Sequence, residues 1–436
     1  GTPGAIAGIV ADTTHFKGNA PQEVSLDVIE AADTATARDL VDHAGWREVL
    51  PRTRVSPDFQ NVLKLAGISP RATHVRLHIY PDGGVARLRV YGTVMPEPRV
   101  FWQAASIDLA AIENGGTVAA VSDQFFGPPS NLLLPGRGVN MGDGWETKRR
   151  RTPGSDWCVL KLGRRGAVER IEIDTHFFKG NAPQATLIEA LDETALAPGE
   201  LEKKLRGEEA WPVLVSKTPL VQHRRHVIEP DRPMAVTHLR VHIFPHGGVN
   251  RMRVFGRALD TASEVKAREA WNAMSEEEAR ALALSWNGAE GFAKGMLARR
   301  PVESVRAMFA AAEEVWWSVG TSDRLAAFAA HPRLGQPKKA ATQTVQSAAW
   351  SAGEQAGIAA SAEEVAARLA ELNEQYFERF GFIFILFATG RTAREVLEQL
   401  EARIGNDRET EIENAGREQA RITRLRIGKW LLGQTG

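Results

Sequence analysis

Cysteine is nearly absent from the 436 residues: Cys158 stands alone, so no disulfide can form within the chain. A reducing compartment suits such a sequence, and a cytoplasmic location is expected. Net charge is absent as well, because 54 Lys and Arg balance 54 Asp and Glu. No global field therefore recruits nucleic acid or an anionic membrane. Long apolar runs are missing, since the longest, Phe380 to Ala388, falls far short of the roughly 20 residues that span a bilayer. No charged-then-apolar leader opens the chain, and a soluble protein without a membrane partner is expected. Histidine thins out too: after His246 the chain has only His331.

What the chain does have is repetition. Asp174-Thr175-His176-Phe177-Phe178-Lys179-Gly180-Asn181-Ala182-Pro183-Gln184 repeats Asp12-Thr13-Thr14-His15-Phe16-Lys17-Gly18-Asn19-Ala20-Pro21-Gln22, differing only at the third and fourth places. Thr73-His74-Val75-Arg76-Leu77-His78-Ile79-Tyr80-Pro81 returns as Thr237-His238-Leu239-Arg240-Val241-His242-Ile243-Phe244-Pro245. Each continues through Gly83-Gly84-Val85 or Gly247-Gly248-Val249 into Arg-x-Arg-Val-aromatic-Gly. Two blocks in register, about 160 residues apart, are a duplicated domain and not a short solenoid repeat.

Inside each copy the apolar period is two. Cys158, Leu160 and Leu162 alternate with Trp157, Val159 and Lys161, and Ile171 and Ile173 alternate with Arg170, Glu172 and Asp174. Short alternating strands punctuated by Gly, Pro and Asn predict β-sandwich lobes. Residues 93–120 and about 257–270 read as connectors. From about residue 271 the composition turns to Ala, Glu, Leu and Arg with apolar spacing near 3.6, which predicts amphipathic helices. Capping boxes at Ser275…Glu278, Ser361…Glu364 and Thr392…Glu395 set helix starts, and Gly381 and Gly405 lie near helix ends. The expected architecture is multidomain: duplicated all-β lobes over 1–95 and 118–258, then an all-α domain over 266–432.

The doubled signature resembles the allantoicase family, which is built from two such copies, and the resemblance covers roughly residues 1–258. It implies jelly-roll-like lobes and hydrolysis of allantoate to (S)-ureidoglycolate and urea. The family pattern places a Phe-Phe…Asn-Leu-Leu segment and a Gly-Trp-Glu-Thr segment ahead of the loop. Both precede Asp174 but neither precedes Asp12, so a truncated first lobe with unpaired strand edges is expected. Hydrolysis needs an activated water, a proton for departing urea and a cation for the carboxylate. Glu146, Asp174 and His242 are candidates for proton transfer, with Arg150 or Lys179 holding the anion. Lys179-Gly180-Asn181 is either a plain turn or a binding loop, and its recurrence in both copies favours binding by Asn181.

His74, Arg76 and His78 share one strand face, as do His238, Arg240 and His242. Strand residues four apart are separated by about 13 Å, too far to share an ion held at about 2 Å. A polar outer face is the plainer expectation, a metal completed by other strands stays open, and no metal ligand is assigned. A different class of reading makes the β lobes a non-catalytic small-ligand-binding sandwich tethered to an enzyme.

In the helical region, Ala330-His331-Pro332-Arg333-Leu334-Gly335, Trp350-Ser351-Ala352-Gly353-Glu354-Gln355-Ala356-Gly357, Arg379-Phe380-Gly381-Phe382-Ile383-Phe384-Ile385 and Ile422-Thr423-Arg424-Leu425-Arg426 occur in that order. Together they resemble the decarboxylases acting on 2-oxo-4-hydroxy-4-carboxy-5-ureidoimidazoline (OHCU), which need no cofactor and yield (S)-allantoin. The resemblance implies catalytic His331, Glu354 and Arg426, with Arg424 the alternative to Arg426. It implies substrate contacts at Pro332, Ser351, Gln355, Phe382, Ile383, Phe384, Ile385 and Leu386, with Ile383 departing from the family's usual Pro. Arg can stabilise charge left by departing CO₂, and an imidazole titrating near neutrality can deliver a proton to one face. The expected partners are the two small-molecule substrates, allantoate and OHCU, and further copies of the chain in a homo-oligomer.

Overall fold

A computed structural model describes residues 2–31, 35, 37–41, 43–206, 209–332, 363–389 and 391–433. The chain divides into two compact units, Gly1–Ala31 with His43–Leu259, and Ala32–Asp42 with Asp260–Gly436.

The first unit holds both β lobes. In the first lobe, β1 (Gly4–Asp12) pairs with β4 (Gln60–Lys64) and β6 (Arg87–Val94), while β2 (Glu23–Ile29) pairs with β3 (Arg47–Arg54) and β5 (His74–Tyr80). All pairs are antiparallel. The two three-stranded sheets share a small core of Ile6, Ile9, Leu26, Val28, Leu50 and Ala72. This is the sandwich that the period-two pattern predicts.

The second lobe is larger. Its short strands β7 (Ile107–Asp108), β8 (Thr117–Val121) and β9 (Trp145–Glu146) precede β10 (Asp156–Asp174), which serves two layers. The first part of β10 pairs with β8, the second part with β13 (Arg225–Ile228) and β16 (Arg251–Ala258), and β14 (Ala235–Phe244) pairs with the first part and the start of the second. A register break between Lys161 and Gly166 separates the parts, and a second break after Val168 explains why Val168 stands outside the Ile171/Ile173 alternation. Strands β11 (Ala185–Leu191) and β12 (Val213–Pro219) extend the layer that holds β14, and β15 (Gly248–Val249) pairs with β9. Cys158, Leu160, Ile171, Ile173, Leu239 and Val241 meet in the core.

The two lobes differ at one edge. Strand β14 is paired on both sides, whereas β5, its counterpart, pairs among the described residues with β2 alone. Leu239, Val241 and Ile243 are accordingly buried, while every residue of β5 keeps some exposure.

Both stretches expected as connectors contain structure. Residues 93–120 include α2 (Pro98–Gln103), with Phe101 and Trp102 buried, besides β7 and β8. A two-residue strand and the small side chains of Thr-Val-Ala-Ala-Val carry too little contrast to show a period. Near 257–270, α4 (Ala262–Ala273) begins at a Thr261–Glu264 capping box. Its buried side chains are only Glu264 and Trp271, so no apolar stripe announced it.

The second unit is helical among its described residues. Besides α1 (Ala37–Val41) and α4, it has α5 (Glu276–Asn287), α6 (Glu290–Ala298), α7 (Val305–Ser318), α8 (Thr321–Ala329), α9 (Glu363–Phe380), α10 (Ala393–Arg403) and α11 (Arg408–Leu431), while α3 (Glu200–Arg206) belongs to the β unit. The capping boxes at Ser275 and Thr392 form; Ser361 lies outside the described residues. Gly381, at φ 77°, ends α9. Trp286 packs at a tilt between Trp271 and Trp430, with ring centroids at 5.0 and 5.5 Å, and Phe328 meets Phe382 at 5.3 Å. No described helix is long and apolar enough to cross a membrane.

One packing contact positions the repeated loop. Phe178 is fully buried, and a Cβ added to Gly248 would lie 1.9 Å from its ring. Phe16 occupies the same place beside Gly84. Gly248→Ala is therefore expected to destabilise the β unit by about 1–3 kcal/mol, as overpacking does. Combined with Phe178→Ala, the cost measured by urea denaturation should be clearly less than the sum of the single substitutions. Strict additivity would mean that the ring and this turn do not constrain each other.

Candidate functional sites

In the β unit the loop after β10 is tied down residue by residue. Asp174 accepts hydrogen bonds from the His176 backbone N–H at 2.9 Å and from His176 Nδ1 at 2.5 Å. Thr175 is buried and donates through Oγ1 to the Val221 carbonyl at 2.7 Å. Phe178 then plugs the core, leaving Lys179 and Gly180 exposed. Asn181 turns back: its carbonyl accepts from Gly248 N–H at 2.8 Å, and its Nδ2 donates to Glu146 Oε1 at 2.5 Å. Glu146 sits on β9 opposite Gly248 of β15, so a short two-stranded ladder holds the carboxylate against the loop. Gly247, at φ 136°, leaves no room there for a side chain, since a Cβ would lie 2.4 Å from the Asn181 carbonyl oxygen.

The structure thus brings Glu146 and Asn181 into contact, with Lys179 two residues away and in no ion pair among the described residues. It places the other candidates elsewhere in the bonding network. Arg150 donates to Asp156 at 3.0 Å. His242 exchanges a hydrogen bond with Ser155 Oγ at 3.0 Å and donates through Nε2 to Glu189 at 3.1 Å. Among the described residues no hydrogen bond or ion pair joins Arg150, Asp174 or His242 to Glu146.

The His-Arg-His face is not simply a solvated one. In the second lobe His238 and Arg240 are buried. Arg240 pairs with Glu189 at 3.2 Å, donates to the Lys204 carbonyl of α3 at 3.0 Å and lies 4.2 Å from the Trp211 ring. Burial pushes the Glu189 carboxyl up, but hydrogen bonds from His242 and the Trp211 N–H outweigh it and hold the group below its ordinary range. The first lobe repeats the arrangement, with Asp27 accepting from Arg76 and His78 at 2.8 Å each and Arg76 4.4 Å from the Trp46 ring. Asp27 and Glu189 fall equally far after Asp12 and Asp174, the one sequence signal that identifies them. His176 also escaped notice, although it fills the third place, where the two loop copies differ. Among the described residues no three His, Cys, Asp or Glu side chains are grouped to hold a metal ion.

In the helical unit, α11 carries Gln419, Thr423 and Arg426 on one buried face, four and seven residues apart. That face meets the end of α5 and His331. His331 Nε2 and Gln419 Oε1 are 2.7 Å apart. Gln419 Nε2 donates to the Asn287 carbonyl at 3.2 Å, and Asn287 Nδ2 donates to Thr423 Oγ1 at 2.9 Å. Arg426 contacts the Ser285 carbonyl and acts electrostatically on His331, whereas Arg424 pairs with Glu313 at 3.7 Å. Of the two arginines left open by the sequence, Arg426 is the one beside the imidazole.

Pro332 directly follows His331. Phe382, Phe384, Ile385 and Leu386 are buried and Ile383 is half-buried. This segment is fixed at both ends: Arg403 donates to the Ile385 carbonyl at 3.0 Å, and the Phe387 N–H donates to Glu418 at 2.8 Å. Arg403 is itself held by fully buried Glu411, which also accepts from Tyr376. Glu354, Ser351 and Gln355 lie outside the described residues.

Burial first, then the charge of Arg426, pushes the His331 pKa down to about 3, with the Gln419 bond opposing. The expectation of an imidazole titrating near neutrality therefore does not hold within the protein's own groups; the ring is neutral at physiological pH.

Residues 1–95 and 107–259 match the allantoicase repeat family, and residues 272–428 match the OHCU decarboxylase family. The chain is 41% identical over 259 residues to an allantoicase of Dictyostelium discoideum, an alignment covering 58% of this chain and 68% of that one. A crystal structure of allantoicase from Saccharomyces cerevisiae is 38% identical, with a TM-score of 0.50, covering 58% of this chain and 74% of the other. A solved OHCU decarboxylase is 32% identical, covering 36% of this chain and 99% of that one, with a TM-score of 0.30.

The buried imidazole makes stability depend on pH. An unfolded chain protonates His331 below about 6.5, while the folded protein keeps it neutral down to about 3. Between those values the unfolded state binds more protons. The contribution is therefore fully present above about 6.5 and lost as pH falls, by up to about 1.4 kcal/mol per pH unit. Calorimetric unfolding of His331→Asn should lose less stability between pH 7 and 4.5 than the parent. Parallel pH profiles would refute the burial of a neutral ring.

Proposed function

The chain belongs to the allantoicase family through its β unit and carries an OHCU decarboxylase domain in its helical unit; from this we infer that it is a bifunctional enzyme of purine-ureide breakdown. The β unit hydrolyses allantoate to (S)-ureidoglycolate and urea. The helical unit decarboxylates OHCU to (S)-allantoin without a cofactor. The observation that carries the reading most strongly is that buried Arg426 acts electrostatically on buried His331, two residue types this decarboxylation needs, on elements remote in sequence.

For the decarboxylase, neutral His331 is suited to take the proton of the substrate's 4-hydroxyl. The bond to the carboxylate carbon breaks, CO₂ leaves, and the electron pair spreads over the ring system. Arg426 lowers the barrier by stabilising that charge as it develops. His331 then returns the proton to one face of the neighbouring ring carbon, which sets the enantiomer, and water supplies the second proton that neutralises the ring nitrogen. An anionic substrate also offsets the Arg426 charge and so raises the basicity of the ring during turnover. The backbone of 382–387 lines the pocket, and Glu354 is the proposed acidic companion.

For the hydrolase, Glu146 accepts a hydrogen bond from Asn181, which orients its carboxyl group to act as a base toward water. Water attacks the carbon bearing the two ureido groups, a C–N bond breaks, and urea leaves with a proton. Lys179 supplies a cation for the substrate carboxylate. Arg150, Asp174 and His242 support the site's frame through their bonds to Asp156, His176 and Glu189. The two reactions are not consecutive, because opening of the allantoin ring intervenes, so the fusion secures co-production of both activities more readily than channelling.

Both assignments are tested on the whole chain with two assays. Glu146→Gln should lower urea release from allantoate by about 100-fold or more and leave decarboxylation of freshly made OHCU intact. His331→Asn should do the reverse. Undiminished urea release by the first, or full decarboxylation by the second, would remove that residue from its proposed role.

A further inference from the structure

We propose that Gln419 is a positioning residue of the decarboxylase site: its amide locks His331 in the tautomer that carries its proton on Nε2, leaving Nδ1 as the basic nitrogen. This rests on the reading of His331 as the proton-transfer group. The orientation of an amide side chain follows from its partners. Gln419 is completely buried, so both ends of its amide need one. Its nitrogen faces the backbone carbonyl of Asn287 at 3.2 Å, and a carbonyl only accepts. Turning the amide over would set two oxygens against each other there. The Gln419 oxygen therefore faces His331, and an oxygen acceptor 2.7 Å from a ring nitrogen requires that nitrogen to carry the hydrogen.

The lock has a second layer. Asn287 is also fully buried, and its Nδ2 donates to Thr423 Oγ1, one turn beyond Gln419 on α11. The end of α5 and the middle of α11 are thus joined by amide and hydroxyl groups whose directions fix one another. The charged group that acts on the ring from the described elements is Arg426 of α11. Arg426 disfavours an imidazolium, so at rest the tautomer and not the charge is what Gln419 selects. A neutral imidazole is otherwise free to divide between two tautomers, and only one of them offers the substrate a lone pair on Nδ1.

The test has a direct and a kinetic arm. In the whole chain labelled with ¹⁵N-histidine, the His331 ring should show a protonated Nε2 and an unprotonated Nδ1; a proton on Nδ1 overturns the proposal whatever the kinetics. Gln419→Met keeps the volume without the acceptor, and kcat for OHCU should fall by roughly 10-fold with KM within about twofold. Gln419→Glu restores an acceptor and adds a charge that favours imidazolium, so the acid limb of its kcat/KM profile should move up by about one pH unit. At higher pH its activity should approach that of the parent. A Gln419→Met enzyme with unchanged kcat and pH profile would also overturn the proposal. Full activity in His331→Asn would instead sink the underlying assignment, while the ring spectrum would still report the tautomer.

Discussion

A polar group taken out of water must find a partner inside the protein, and the organisation of both units follows from where those partners are found. Glu189 can be buried because Arg240, His242 and the Trp211 N–H converge on it. Glu411 can be fully buried because Arg403, Tyr376 and Asn406 do the same. Around His331 the rule is stricter. Burial and the charge of Arg426 both disfavour an imidazolium, so the ring stays neutral and is held by an amide.

That constraint separates scaffold from chemistry. Each β lobe stitches a carboxylate to an Arg and a His across neighbouring strands and lays the guanidinium on a tryptophan. The repetition of this pattern in both lobes marks it as part of the sandwich scaffold. The Glu146–Asn181 contact is different, because it depends on the β9–β15 ladder, which the first lobe has no counterpart for among the described residues. In the helical unit, Arg403 plays the scaffold part by anchoring the Ile385 carbonyl, while the charge of Arg426 acts on the His331 ring.

Much of the fold was legible because strand alternation and helix capping are local signals. Cys158, Leu160, Ile171 and Ile173 point inward as their period predicts, and Ser275 and Thr392 cap helices. What escaped was either too short or too weakly patterned: β7 has two residues, and α4 buries one apolar side chain. The sites were legible in part. The doubled loop pointed to Asn181 and the solitary histidine to His331, but pairing depends on topology. Nothing in sequence spacing shows that Asn181 meets Glu146, that His242 turns to Glu189, or that Gln419, one polar residue in a highly charged helix, faces an imidazole 88 positions away.

The central claim is that the two chemistries occupy separate places, the decarboxylase pocket being the one bounded by His331, Arg426 and the backbone of 382–387. Hydrogen–deuterium exchange of the whole chain with and without saturating (S)-allantoin tests it most directly. Slowed exchange at 382–387 and in α11 around Gln419 to Arg426, with the β-unit peptides unchanged, is the predicted result. Protection confined to the β unit, or to helical peptides remote from His331, would contradict the account.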